Sequence, residues 1–157
     1  MSLERFCKRP IITLAPEKTI AAACQLLEEH NIGCLLVEEH GKLEGILTDR
    51  DIALRVTGRG RYPEQTSVGQ VMTTNPVCIS IDSTLHELTA LMHSRHVRRV
   101  PIVDGTGRAI GIVTLDDLLA LLGDEMSDMA KAVSEAFFRK PAEEGVEAEE
   151  FHWWVMP

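Results

Sequence analysis

A threonine followed three positions later by an aspartate occurs twice in this chain of 157 residues, each time after a short aliphatic run. Residues 45–52 read GILTDRDI and residues 111–118 read GIVTLDDL. A Thr-x-x-Asp pair in front of a helix is typical of a capping box, in which the two side chains satisfy free N–H groups of the first turn. That capping role remains open for both pairs. The pair recurs 66 positions after its first occurrence, which raises the question of whether both pairs also bind a ligand.

The repetition extends over most of the chain. At an offset of 65 residues, apolar positions of the first half fall on apolar positions of the second, and one extra residue in the turn DGTGR, against EHGK, moves the offset to 66. We therefore predict two copies of one unit. The predicted divisions are repeat 1 at residues 2–57, a linker at 58–66, repeat 2 at 67–123, and a C-terminal helix with an acidic, aromatic tail at 124–157.

Each copy shows the same order of structural signals. In the first, the extended segment ITLAPEKT ends in a predicted N-cap at Thr19, a helix follows, and two aliphatic runs around HGK indicate a hairpin before a second helix. The second copy repeats this order from a predicted N-cap at Thr84. Three short strands and two helices cannot close a core alone. We expect an α+β fold in which two β-α-β-β-α repeats pack sheet against sheet, as one module, around a pseudo-twofold axis.

Composition excludes several classes of partner. The formal charge of −8 argues against a nucleic-acid partner, because that binding depends on Lys and Arg neutralising phosphates. No apolar run approaches the roughly 18 residues that cross a bilayer, and the N-terminus lacks the pattern of a signal peptide. We therefore expect a cytoplasmic protein without a membrane partner.

Metal, redox and catalytic chemistry also find little support. The four cysteines are scattered, which indicates reduced and mostly buried thiols. Only His93 and His96 lie close together among the histidines, too few ligands for a zinc site. No P-loop, G-x-S-x-G or H-E-x-x-H motif is present. The sequence predicts no metal, no catalytic residues, no catalytic cofactor and no enzyme activity.

The order of elements, the two copies and their endings GILTxxDI and GIVTxxDL together resemble a tandem pair of cystathionine-β-synthase-type (CBS) domains. The stretches HNIGCLLVE and RHVRRVPIVD are similar to the family's segment between first helix and second strand. The resemblance ends near Gly123. It implies a stand-alone regulatory module, a homodimer, that binds an adenosine ligand between the repeats and signals energy or metabolite state to a protein partner. The implied ligand is AMP first, then ADP, ATP or NAD, and less readily S-adenosylmethionine.

The resemblance also assigns binding residues. It places ribose-binding residues at Thr48, Asp51, Thr114 and Asp117, and phosphate-binding residues at Arg98 and Arg99. For the neighbouring His93 and Arg95, a basic helix end is explanation enough. Walls for adenine are implied at strand positions that fit a plain core equally well: Ile12, Thr13, Val77, Cys78, Val100 and Pro101.

The two clefts are expected to differ. The first copy carries Gly33 and Cys34 where the second carries its arginines. We expect the cleft built on Thr114 and Asp117 to hold a phosphorylated nucleotide. The cleft built on Thr48 and Asp51 is expected to bind more weakly, to take a neutral adenosyl group or to stay empty, with Arg50 as an alternative phosphate contact.

Other functions remain open at this point. The leading alternative is a non-catalytic interaction or structural dimer whose clefts no longer bind nucleotides, and a cysteine-based redox or metal sensor is more remote. The tail is aromatic where the repeats are aliphatic, so it either packs on its own module or a dimer mate, or docks to an unknown partner. Its aromatic residues are Phe137, Phe138, Phe151, Trp153 and Trp154.

Overall fold

The structure is a computed structural model that describes residues 3–7 and 10–138. Residues up to Leu121 belong to one compact unit and those from Leu122 onward to another. Most of the predicted tail, including Phe151, Trp153 and Trp154, lies outside the described residues.

The predicted order of elements is confirmed in both repeats. The first repeat contains β1 (Thr13–Leu14), α1 (Ile20–Glu29), β2 (Cys34–Glu39), β3 (Lys42–Thr48) and α2 (Asp49–Arg55). After a further short strand, β4 (Thr73–Thr74), the second repeat contains β5 (Ile79–Ser80), α3 (Leu85–Arg95), β6 (Arg99–Val103), β7 (Ala109–Thr114) and α4 (Leu115–Phe138). All of these elements belong to the first compact unit except α4, which crosses its boundary and belongs to the second unit from Leu122 onward.

Two mixed sheets carry these repeats. In the first sheet β1 runs parallel to β2, and β2 and β3 form an antiparallel hairpin. His40 and Gly41 make its turn with positive φ angles of 51° and 76°, as a two-residue turn matched to the twist of the strands requires. The second sheet has the equivalent order, β5, β6 and β7. Strand β4 was not predicted; it pairs with Gly45 and Ile46 of β3, so the entry to repeat 2 extends the sheet of repeat 1.

Each core contains side chains contributed by the segment that begins the other repeat. Val68 and Val71, at the start of repeat 2, lie in the apolar core of repeat 1. Leu3 and Phe6, which correspond to them at the offset of 65, lie in the core of repeat 2. All four are at most 5% exposed. This reciprocal exchange explains why neither repeat is expected to close its core without the other.

The helix caps agree with the sequence, whereas the cysteines do not. The Thr19 hydroxyl accepts a hydrogen bond from Ala22 N (3.2 Å), and Thr84 and Glu87 form a full capping box. The expectation of mostly buried thiols is wrong, because Cys24 and Cys78 are exposed and only Cys7 and Cys34 are half-buried. Cys24 follows the buried Ala23 by one residue, about 100° around α1, which places its side chain beyond the buried face.

Candidate ligand-binding cleft

A cleft of about 270 Å³ lies between the two repeats. Repeat 1 contributes the segment before β1, the loop after α1 and the first half of β2, and repeat 2 contributes β6, β7 and the first turn of α4. The lining residues are Pro10, Ile11, Ile12, Asn31, Ile32, Gly33, Cys34, Leu36, Arg99, Ile112, Thr114, Asp116 and Asp117. Four predicted site residues therefore come together here: Ile12, Arg99, Thr114 and Asp117.

Strand register places an arginine beside the threonine of this cleft. Arg99 on β6 lies directly opposite Thr114 on β7, whereas the equivalent pair in repeat 1 is Cys34 opposite Thr48. Residues that are directly opposite each other share one face of a sheet. The guanidinium and the hydroxyl can therefore contact one bound molecule, and the equivalent pair in repeat 1 offers no charge.

Thr114 and Asp117 hold each other in place at the start of α4. The Thr114 hydroxyl donates to Asp117 Oδ2 (2.5 Å), and Asp117 N donates to Thr114 Oγ1 (3.2 Å). The hydrogen bond from Asp117 N is the threonine half of the predicted capping box. Because β7 ends at Thr114 and the helix begins at Leu115, the carboxylate lies beside the N–H groups and the positive dipole of a helix start. This arrangement can accept hydrogen bonds from hydroxyl groups of a ligand.

A glycine on repeat 1 makes room for the arginine of repeat 2. A Cβ atom added to Gly33 would lie 3.2 Å from a guanidinium nitrogen of Arg99 and 3.3 Å from Asp49 Oδ2. The arginine and the Asp49 carboxylate therefore both approach the same backbone position. With Asp116 and Asp117 in the lining, this part of the cleft carries more acidic groups than basic ones.

In repeat 1, the aspartate of the Thr-x-x-Asp pair is bound by other residues of the same repeat. Asp51 Oδ2 accepts hydrogen bonds from Thr48 N (3.0 Å) and Thr48 Oγ1 (2.8 Å), and Asp51 Oδ1 forms an ion pair with Arg55 (3.1 Å). Arg55 also donates to the carbonyl oxygen of Val71 (2.6 Å). At the offset of 66 the residue equivalent to Arg55 is Leu121. The second repeat therefore has no such arginine on the helix that follows its aspartate.

The structure places the two arginines that the resemblance assigned to phosphate in different grooves. Arg98 lines a different groove, next to His93 and His96, and Arg99 alone lines the cleft. Arg98 lies in a bend just before β6, whereas Arg99 is the first residue of that strand. Arg50, the alternative contact in repeat 1, is exposed and does not line the cleft of Arg99.

Few of the expected adenine walls reach this cleft. Ile12 does, whereas Thr13 lines a neighbouring groove. Val100 is fully buried in the core of repeat 2, and Pro101 beside it is buried. Val77 is half-buried and Cys78 exposed, and neither is among the lining residues.

Sequence reasoning missed several residues of the lining. Ile112 could have been found, because it stands two positions before Thr114 on one strand and must face the same side. The loop residues Asn31 and Ile32 carry no such signal. Their position depends on how the two repeats pack, which one repeat's pattern does not specify.

Within the part of the chain that the structure describes, no group of three or more His, Cys, Asp or Glu side chains is arranged to hold a metal ion. No described helix combines the length and apolar character that crossing a membrane requires.

Comparison with known proteins identifies the class of this fold. A family model described as CBS domain matches residues 3–58 and again 68–124. The chain is 44% identical over 108 residues to the CBS domain-containing protein YhcV of Bacillus subtilis, covering 69% of this chain and 76% of that protein. The chain therefore belongs to the CBS domain family and carries two CBS domains in tandem, as the resemblance implied.

Two further relatives bear on ligands and on activity. The solved CBS domain pair of protein MJ0100, in complex with 5′-methylthioadenosine and S-adenosyl-L-methionine, is 30% identical, with a TM-score of 0.72 over 80% of this chain and 98% of that one. The inosine-5′-monophosphate dehydrogenase of Methanocaldococcus jannaschii is 36% identical over 112 residues, which are 71% of this chain but 21% of the enzyme. The likeness to that enzyme covers about a fifth of its length.

Proposed function

We propose that this CBS pair is a regulatory module that binds one adenosyl ligand in the cleft formed by Arg99, Thr114 and Asp117. The observation that carries the proposal is the convergence of these three side chains, from β6, β7 and α4, on a cleft whose other wall comes from repeat 1. A ligand in that position contacts both repeats at once. Its binding energy can therefore change how the repeats pack, which is the change that a partner protein would detect.

The polar groups suit the parts of a nucleotide. Asp117 and Thr114 lie where ribose hydroxyls can donate to a carboxylate, and such charge-assisted hydrogen bonds are each worth about 1.5–3 kcal/mol. Arg99 suits a phosphate oxygen, because its guanidinium forms two parallel hydrogen bonds with such a group. Ile12, Ile32 and Ile112 supply apolar surface for a base.

The size and charge of the cleft favour a small ligand with little negative charge. Its volume of about 270 Å³ is just below the usual range of ligand pockets, about 300–1,000 Å³, which favours a mononucleotide over NAD. One arginine faces Asp116 and Asp117, with Asp49 close by. We therefore rank AMP above ADP and ATP. S-Adenosylmethionine stands higher than the sequence alone suggested, because its sulfonium adds no negative charge and MJ0100 binds it.

The test is calorimetric titration of nucleotide-stripped protein with AMP, ADP, ATP, NAD and S-adenosylmethionine. We expect binding of one ligand per chain, weakened at least about tenfold by Asp117→Ala, since a charged hydrogen bond of that strength is lost. Asp51→Ala is the matched control: it removes the equivalent carboxylate of repeat 1, and we expect it to lower the melting temperature more than the affinity. Binding of none of the five contradicts the proposal and favours the alternative, an interaction or structural dimer with lapsed clefts.

We further propose that the module is not an enzyme and acts as a homodimer on a partner protein. Within the described lining, the hydroxyl and carboxylate that lie together are Thr114 and Asp117, which we assign to ribose binding, and no histidine lines the cleft beside the half-buried Cys34. Incubation with the bound ligand should leave that ligand chemically unchanged. Product accumulating above a protein-free control would overturn the assignment as a sensor.

A further inference from the structure

From Leu122 onward, α4 presents an apolar face that nothing in its own unit covers within the described residues. All residues from 122 to 137 are exposed. The large apolar side chains among them are 46% exposed at Leu122, 67% at Met126, 61% at Met129, 56% at Val133 and 81% at Phe137. A single helix cannot bury its own apolar face, and most helix stability in proteins comes from packing that face. This segment therefore needs a partner.

The spacing of these side chains indicates what the partner is. Leu122, Met126, Met129, Val133 and Ala136 follow one another at intervals of four, three, four and three residues. An apolar repeat of four and three is the spacing of the seam along which the two helices of a coiled coil meet. A seam of this kind is complementary to another copy of itself. We propose that α4 packs along this seam against α4 of a second copy of the chain.

The residues beside the seam permit a close approach of two helices. Gly123, Ala130, Ala132 and Phe137 flank it without charge, and Glu125 is the one charged residue at a flanking position. The other charges of the segment lie on the outer face. There Lys131 forms an ion pair with Asp128 of its own helix at 3.0 Å, so this pair does not need to be broken when two helices meet.

The available area suits a second helix of the same kind. The five large exposed side chains of the segment would bury on the order of 100 Å² each, hence about 1,000 Å² across two chains, which is the lower limit for a specific interface. We therefore expect micromolar association. The chain's own tail is less suitable, because residues 141–150 carry five glutamates and no lysine or arginine, and folding back would lay them along the acidic residues of α4.

The test is the self-association of the full-length chain, measured by sedimentation velocity from about 1 to 300 μM, a range centred on micromolar affinity. Met129→Glu places a carboxylate in the seam, and we expect the dimer dissociation constant to rise roughly thirtyfold or more because that charge would be buried without a partner. Ser127→Glu is the control. It adds the same charge one helical face away, and it should change the constant by less than about threefold.

A third variant distinguishes the two candidates that could pack on the seam, a second copy of the chain and the chain's own tail. Removing residues 139–157 should leave the dissociation constant within about threefold of that of the full chain, since the seam ends at Ala136. Association that disappears on this deletion, or a dissociation constant that Met129→Glu leaves unchanged, overturns the proposal. An unchanged melting temperature of the first unit in each variant shows that the effects are confined to the helix.

Discussion

Repeat 1 pairs its Thr-x-x-Asp carboxylate with an arginine, and repeat 2 has a leucine where that arginine would stand. Arg55 holds Asp51 at 3.1 Å and also reaches the Val71 carbonyl oxygen. In repeat 2 the equivalent Leu121 packs against the apolar core, and an arginine appears elsewhere, at Arg99 opposite Thr114. The same motif thus has its cation on the following helix in one repeat and on the neighbouring strand in the other.

This difference bears on the two roles that we assign to the motif, helix capping and ligand binding. In both repeats the threonine and the aspartate hold each other across the first turn of a helix, so the capping role belongs to the duplicated fold. In our proposal the position of the cation decides ligand binding. The cation of repeat 1 lies on the same helix and pairs with the carboxylate, whereas the cation of repeat 2 lines the cleft, where we propose that a ligand binds.

The largest effect should come from the exchanged segments that both repeats share. Phe6 is 5% exposed in the core of repeat 2, and Phe6→Ala should lower the free energy of unfolding by about 3–5 kcal/mol through lost burial and a cavity. Urea unfolding followed by circular dichroism measures this. We expect a single cooperative transition for the variant and for the parent chain.

Val71→Ala is the counterpart in repeat 1, and it should act in the same direction by a smaller amount, because fewer buried atoms are removed. Two separate transitions in either variant would show that the repeats unfold independently. In that case, the placement of Leu3 and Phe6 in the core of repeat 2, and of Val68 and Val71 in the core of repeat 1, would not couple the unfolding of the two repeats.

Transferring the leucine of repeat 2 into repeat 1 tests the comparison directly. Arg55→Leu removes the partner of Asp51 and a donor to the Val71 carbonyl, so the free energy of unfolding should fall by about 1–3 kcal/mol. It also frees the Asp51 carboxylate for a ligand. We expect calorimetric titration to show a second, weaker site in addition to the site at Asp117.

Arg59→Leu provides the control for this substitution, because Arg59 is an exposed arginine that follows α2. It should change neither stability nor stoichiometry beyond error. If the Arg55→Leu variant still binds one ligand with unchanged affinity, Arg55 is not what prevents ligand binding at Thr48 and Asp51. The uncharged Cys34, in the place of Arg99, would then be enough to explain why repeat 1 binds no ligand.

Local signals in the sequence were enough for most of the fold. The periodicity of the two repeats, the caps at Thr19 and Thr84 and the hairpin turns all specify structure over a few residues, and the structure confirms them. Thr114 and Asp117 were predictable for the same reason, since their pairing spans one helical turn. The burial of Cys24 was misjudged because its position at the edge of the helix face made periodicity a weak guide.

Long-range features were beyond these signals. Strand β4 pairs across the boundary of the repeats, and Leu3 and Phe6 enter a core formed mostly by residues more than 80 positions away. The placement of Arg98 and Arg99 in different grooves also depends on the packing of the repeats, which decides that Arg99 lines the cleft. Likewise, the side chains of Arg99 and Asp49 both lie close to Gly33 only because of how the two repeats pack.

Charge near Gly33 should set the preference among ligands. The Asp49 carboxylate and the Arg99 guanidinium both lie close to Gly33, so we expect the carboxylate to compete with a ligand phosphate for the guanidinium. Asp49→Asn should raise the affinity for AMP by roughly three- to tenfold at low salt, and the affinity for ATP by more, because repulsion grows with ligand charge. Titration at two salt concentrations measures both effects.

Asp82→Asn removes an equal charge from an exposed turn outside the cleft lining and should leave both affinities unchanged. If Asp49→Asn does not affect the relative affinities for AMP and ATP, the acidic groups do not select the ligand. The cleft volume alone would then have to explain any preference for a mononucleotide.

The smallest effect concerns the helix caps, where the repeats differ in their dependence on pH. The backbone N–H and the hydroxyl of Thr84 donate to Glu87 and hold the pKa of that carboxyl below its ordinary value of 4.5. A lowered folded-state pKa means that the stabilisation is complete above the unfolded value and is lost as the pH falls through the folded one. At the cap of α1, the residue in the place of Glu87 is Ala22, which carries no charge.

Thr19→Ala and Thr84→Ala should each lower the free energy of unfolding by about 1 kcal/mol at pH 7, because each removes a hydroxyl cap. Their behaviour in acid should differ. As the pH falls from 5 to 3, which brackets the ordinary pKa of a glutamate, the difference between Thr84→Ala and the parent chain should shrink, while that for Thr19→Ala stays constant. Thermal unfolding across this range measures both differences. Parallel curves for the two variants would mean that Glu87 contributes nothing through its charge, and that the caps of the two repeats are equivalent although their clefts are not.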